Sequence, residues 1–282
     1  MHFLLLTILC STSIALILKH VDTKSGEAIV LLAGNYFVAS IISLMFILFK
    51  EDANFSIQTL VFGLGLGLLF VISFVAFAKA ISYAGTGLAT TSSRLSVIIP
   101  ILLSIIIYNE SPSEFQIIGF VFTAVTFIFF YFSISDGHKS GDGFIKYFLL
   151  LAVLIGIGIN DFSMKVFTSW RPELEEPFFV FFIFTSAFVY ASIYIALKKI
   201  KIIKHTATWG LLLGVPNVFS TIFLLGALAI LPAILVYPIV NVGIIIFTTL
   251  LAFFIWKEKL NRWGIIALTS GVMAIVFLSI GR

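Results

Sequence analysis

The sequence predicts an all-α membrane protein with ten transmembrane helices in two inverted five-helix repeats. Three observations carry this. Of 282 residues, 61% are hydrophobic and only 11% charged, and the mean hydropathy is +1.18, far outside the range of soluble domains. The charges sit in short runs between apolar stretches of about 20 residues, the length that crosses a hydrocarbon core about 30 Å thick. The chain also echoes itself: Ser96–Glu110 (SVIIPILLSIIIYNE) and Ile244–Glu258 (IIIFTTLLAFFIWKE) lie 148 residues apart, and each is followed by a polar hairpin and an apolar helix.

The expected spans follow in order. The first, 2–18, opens MHFLLLTILC with neither a basic leader nor an A-x-A-like cleavage site, and reads as a retained helix. The second covers 28–49, and the third, 57–79, carries FGLGLG. Its Gly63 and Gly67 form a GxxxG face for close helix packing; the spacing is not that of a nucleotide loop. The fourth, 86–107, is entered through the small-residue run GTGLATTSSR, and the fifth is 115–133. After the Gly-rich linker SDGHKSGDG come 144–168, 177–197, 207–229 with Pro216 inside it, 232–255 with Pro232 and Pro238, and 262–280. Backbone in lipid must satisfy its own hydrogen bonds, so these are helices and not open strands.

Dividing the chain at the linker gives repeats of 1–135 and 144–282 with five spans each. An odd repeat leaves its copy upside down, related by a rotation of about 180° about an axis in the membrane plane. The helix starts agree, because Phe3–His20 resembles Phe148–Val166, with Lys19 and Lys165 near matching ends. Glu110 and Glu258 each end a long apolar helix, where a carboxylate is expected to cap or anchor a hairpin at the interface. The face of the odd-numbered loops carries twelve Lys and Arg and the other face four, which places the odd-loop face in the cytoplasm and both termini outside.

Several function classes fall away. Cys10 is the lone cysteine, so neither an internal disulfide nor a thiolate metal cage can form. The four histidines are scattered near loops, no GxxxxGK[ST] loop is present, and the net charge of +4 shows no basic face for nucleic acid. No cofactor is expected. The sequence names as partners a small-molecule solute and the lipid bilayer, with protons or a counter-transported solute as the energy source.

Arg94 is the costliest residue, because a cation near the bilayer centre costs about 2.5–3.5 kcal/mol on insertion scales. It can hold an anionic group of a substrate, with Ser92 and Ser93 supplying hydroxyls, or it can be a structural arginine bonded to backbone carbonyls. Asp161 is the acidic residue well inside a span. It precedes Lys165 by four residues, so one reading is an i,i+4 ion pair. The other is a coupling carboxylate that loads and releases a proton. The helix positions of Arg94 and Asp161 differ in depth by about 10 Å, on either side of the midplane. Asn35, Tyr36, Asn217, Tyr237 and Asn241 complete a polar set that serves either as interhelical glue or as lining for a central site.

The run AKAISYAGTGLATTSSRLSVIIPILLSIIIYNESPSEFQIIGFVFTAVTF and its second-half counterpart GALAILPAILVYPIVNVGIIIFTTLLAFFIWKEKLNRWGIIALTSGVMAIV carry a resemblance. Each has an Ala-rich helix end, a small-residue turn, a helix closing on Glu and a Gly-containing final helix. The chain resembles the drug/metabolite transporter superfamily in its ten-helix EamA-like branch. Pro100 is replaced by Thr248 in the second half, while Pro232 and Pro238 have no counterparts in the first. The resemblance implies a secondary transporter, not an enzyme, that exports small organic metabolites such as amino acids or other anionic solutes by alternating access across a bacterial inner membrane. Multidrug export and a non-transport scaffold or sensor are the alternatives. The resemblance also implies both termini in the cytoplasm, opposite to the charge count.

With Cys10→Ser as background, the charge count predicts that an impermeant thiol reagent added outside intact cells labels Lys50→Cys and not Lys199→Cys. Labelling at 199 alone would establish the reverse orientation.

Overall fold

The computed structural model describes residues 1–21, 28–49, 54–134, 143–171, 175–257 and 261–280. Among these the chain is helical throughout, in eleven segments: α1 (His2–His20), α2 (Ala28–Leu48), α3 (Ile57–Ala84), α4 (Thr86–Leu95), α5 (Ile98–Tyr108), α6 (Glu114–Ile134), α7 (Phe144–Trp170), α8 (Glu176–Leu197), α9 (Lys204–Ile230), α10 (Ala233–Trp256) and α11 (Arg262–Ile280). Taking α4 and α5 as one span, ten are long and apolar enough to cross a membrane. Each expected span is found, α3 running five residues further than hydropathy suggests. Glu258 lies outside the described residues, as do Lys24, Lys50, Lys139, Lys259 and Arg282 of the charge count.

The expected fourth span is one helical run, Thr86–Tyr108, that tightens locally between α4 and α5: Ser96 and Val97 keep helical dihedrals, and Val97 N–H bonds three residues back to the Arg94 carbonyl. The cause is Pro100, whose missing N–H leaves the Ser96 carbonyl without its i+4 donor. That carbonyl accepts instead from Ile99 N–H at 3.0 Å, and the Ser96 hydroxyl turns back to the Ser93 carbonyl at 2.6 Å.

The helices pair in sets that exchange when the first five spans are mapped in order onto the last five. Thus α2 packs on α9 and α3 on α8, α1 on α9 and α7 on α3, α1 on α10 and α7 on both α4 and α5, while α2–α8 and α6–α11 map onto themselves. These pairings fit an inverted repeat. Helices in lipid gain little from burying apolar surface against each other, so close backbone approach and polar ties hold them. Small residues supply the approach. Gly63 and Gly67 of α3 lie against α8, and Gly210 and Gly214 of α9 lie against α2 at the same four-residue spacing. The expected GxxxG face is present, and it has a twin 147 residues on.

Polar ties recur in the same way. The Asn160 amide donates to Ser73 Oγ at 3.2 Å between α7 and α3, while Ser11 and Ser220 hydroxyls meet at 2.7 Å between α1 and α9. Ser73 and Ser220 are again 147 residues apart. Thr126 and Ser270 join α6 to α11 at 3.1 Å. Outside the spans, Glu175 receives Ser56 N–H at 3.3 Å, Ser56 Oγ at 2.7 Å and the Thr59 hydroxyl, which ties the starts of α3 and α8. Partial burial opposes ionisation of this carboxyl. The bonds from Thr59 and Ser56, together with nearby Arg171, outweigh it and hold the group below the usual carboxylate range.

A Cβ at Gly67 would sit 2.0 Å from Ser186 Oγ and 2.6 Å from the Ile183 carbonyl, whereas a Cβ at Gly65 meets nothing within 4 Å. Gly67→Ala should therefore overpack the α3–α8 seam at a cost of about 1–3 kcal/mol, while Gly65→Ala should cost nothing or stabilise slightly. Thermal unfolding in detergent measures both; equal midpoints would mean that the seam is not close-packed.

Candidate functional site

Arg94 lies just before the tightened turn of the fourth span, where its own carbonyl accepts from Val97 N–H at 3.4 Å. Helix α7 comes close to this turn, since a Cβ at Gly158 would lie 2.9 Å from the Ser96 carbonyl and 2.6 Å from Ile99. Only glycine lets the two backbones approach so nearly. Asp161 follows one turn later on α7. From the opposite side α10 brings Tyr237 and Asn241, one turn apart.

Four of the residues singled out from the sequence converge here. Arg94 Nη1 donates to Asn241 Oδ1 at 3.2 Å, and the Asn241 amide donates to the Tyr237 carbonyl at 3.1 Å, which fixes its oxygen toward the guanidinium. The Tyr237 hydroxyl donates to the backbone carbonyl of Asp161, joining α10 to α7. Arg94 and Asp161 attract each other electrostatically. Among the described residues they form no ion pair within 4.0 Å, and the Asp161 carboxylate receives no hydrogen bond. Arg94 Nε is buried without a partner. The guanidinium thus keeps an unused donor and the carboxylate its acceptors, and the two residues are linked through Asn241, Tyr237 and the Asp161 backbone carbonyl.

The i,i+4 pair between Asp161 and Lys165 does not form. Lys165 Nζ instead meets Glu110 Oε1 at 2.9 Å, with only 12% and 11% of the two side chains exposed. A partner at the end of α5 outcompetes the local one because the same carboxylate also caps α10, accepting from Ala233 N–H at 3.1 Å and Ile234 N–H at 3.0 Å. Its negative charge lies on the positive end of that helix. Sequence reasoning expected Glu110 to cap or anchor a hairpin at the interface; the helix it caps begins 123 residues later. A left-handed Asn109 (φ 53°) ends α5 and aims Glu110, and Lys257 (φ 54°) ends α10 in the same conformation at the 148-residue offset.

The remaining predicted residues are not brought to Arg94 by any bond. Ser92 donates to the Leu150 carbonyl at 2.6 Å as a tie between α4 and α7. Ser93 lends its carbonyl to Ser96. The Asn217 amide donates to Asn35 Oδ1 at 3.0 Å between α9 and α2, and buried Tyr36 packs near Phe184. No group of three or more His, Cys, Asp or Glu could hold a metal among the described residues. A groove of about 520 Å³ between α3 and α7, lined by Ile57, Val61, Phe62, Leu66 and Trp170, contains none of the converging charges.

Comparison with known proteins bears on what this arrangement serves. Residues 1–132, which hold α1 to most of α6, match the EamA-like transporter family. An uncharacterized protein of Haemophilus influenzae is 29% identical over 293 residues, covering 99% of this chain and 98% of that protein. A solved crystal structure aligns with a TM-score of 0.79 at 14% identity over 99% of this chain and 95% of the other, a likeness of fold alone.

Proposed function

We propose that this EamA-like membrane transporter is a secondary-active exporter of small organic solutes bearing an acidic group, working by alternating access in a bacterial cytoplasmic membrane. The observation that carries this reading is the unpaired state of Arg94 and Asp161, two charges inside the spanning bundle that interact electrostatically yet form no ion pair within 4.0 Å. A permanent structural ion pair would close the gap with hydrogen bonds, because unpaired charges in low dielectric are costly. Free donors on Arg94 instead suit a carboxylate or similar anion, which a guanidinium binds through a planar fork.

In this reading Asn241 orients the guanidinium and Tyr237 holds Asp161 in place through its carbonyl. Asp161 balances Arg94 when the site is empty. Once an anionic solute neutralises Arg94, the carboxylate is left uncompensated and takes a proton, so solute and proton cross together and the outward gradient of the solute itself drives export. The two repeats, 1–135 and 144–282, would rock about this position, a division supported by the exchange-related helix pairings. Arg94 belongs to the first repeat and Asp161, Tyr237 and Asn241 to the second, so the rocking would reshape the site.

Flux in proteoliposomes against a panel of amino acids, sugars and drugs, with and without a pH gradient, tests the reading. Uptake of an anionic or carboxylate-bearing solute is expected. Arg94→Lys keeps the charge but loses the fork, and a lost charge-assisted hydrogen bond worth about 1.5–3 kcal/mol should weaken apparent affinity by about ten- to hundredfold. Asp161→Asn should retain solute exchange and lose its response to the pH gradient. Flux of lipophilic cations alone, or full pH-driven flux in Asp161→Asn, would overturn the proposal.

A further inference from the structure

We infer that the junction of Glu110, Lys165 and the start of α10 is the gate that closes the even-loop face of the bundle during transport. The inference rests on the transport reading above. It starts from position. Glu110 follows α5, Lys165 lies near the end of α7, and Ala233 opens α10, so all three meet where the fourth, sixth and eighth connections lie, on a single face. Directly beneath are the converging charges. Asp161 is one turn from Lys165 on α7, and Asn241 is about two turns inside α10 from the capped N–H groups, roughly 6 Å and 11 Å deeper on a rise of about 1.5 Å per residue.

The chemistry suits a contact that is made and broken. One carboxylate holds an ammonium and two backbone N–H groups, drawn from two helices other than its own. Its helix lies in the first repeat and both partners lie in the second. Rocking of the repeats must separate some inter-repeat contact on each face in turn, and polar contacts can be exchanged for water as the face opens. An apolar seal in the same place would have no such compensation. Each group here has one when hydrated: Lys165 and Glu110 are solvated ions, and the first turn of α10 can be capped by water. The cost of opening is then small enough for solute binding to drive it.

The floor of this gate offers a reporter. On α5, Val97, Pro100 and Ser104 form a buried stripe, while Ile98, Leu102 and Ile106 on the other side are exposed. The buried stripe therefore faces the packing partners α7 and α10. Ser104 Oγ has no hydrogen-bond partner, so Ser104→Cys removes no bond. Ala252, buried on α10, is the matching position 148 residues on and serves as a reporter for the odd-loop face.

The experiment uses the full chain with Cys10→Ser in lipid nanodiscs, where both faces are open to a charged, membrane-impermeant thiol reagent. Weakening a gate on the even-loop face shifts the population toward states open on that face. Lys165→Met, which leaves the α10 cap intact, should raise the labelling rate of Ser104→Cys by about tenfold, a shift equivalent to ~1.4 kcal/mol, and should lower that of Ala252→Cys. Glu110→Gln should act in the same direction. Lys165→Met keeps the proposal testable should Glu110→Gln fail to yield folded protein. Unchanged rates, or a rise at both reporters as in a merely loosened fold, would overturn the gate. Labelling needs no solute, so absence of flux with opposed labelling changes would count against the cargo reading while leaving the gate, and flux with unchanged labelling would do the reverse.

Discussion

A guanidinium inside a membrane-spanning segment must be supplied with partners, and much of the polar architecture of this bundle follows from the demand Arg94 makes. Pro100 withdraws one N–H, and the span tightens into three-residue hydrogen bonding at Ser96 and Val97, just past Arg94. Gly158 brings α7 against this turn and with it Asp161, while Asn241 reaches in from α10. Each element lowers the cost of the cation, yet none uses up its donors. The charge is compensated at a distance and not neutralised by contact.

This arrangement can persist only if the surrounding helices hold firm without help from the hydrophobic effect. Paired glycines and hydroxyl or amide ties provide the grip, and they occur in sets that map the first five spans onto the last five: Gly63 and Gly67 with Gly210 and Gly214, Ser73 with Ser220. These glycine seams join helices of the two repeats, and so does the close approach of Gly158 on α7 to Ser96 and Ile99.

Much of this was legible in the sequence for a simple reason: span positions depend on local hydropathy, and the ten expected helices are all present within a few residues of their predicted ends. The GxxxG face at Gly63 and Gly67 was legible too, because it is a property of one helix. Partnership was harder. Lys165 is four residues from Asp161, which suggests a local pair, but Glu110 takes it because two N–H groups of α10 already fix that carboxylate. The tightened turn before Pro100 was not legible, because a proline inside an apolar run can leave its helix uninterrupted, as Pro216 and Pro238 do. Arg94 and Asp161 stood out by cost alone. Asn35 and Asn217 were equally visible, yet the sequence could not say that they would satisfy each other.

The central claim is that the space between Arg94 and Asp161 receives the solute. A structure of the protein determined with a transported solute bound tests this most directly. An acidic group of the solute within hydrogen-bonding distance of the Arg94 guanidinium, with Asn241 still oriented by Tyr237, is the predicted result. A solute bound elsewhere, for example in the apolar groove between α3 and α7, with the Arg94–Asn241 contact undisturbed, would contradict it.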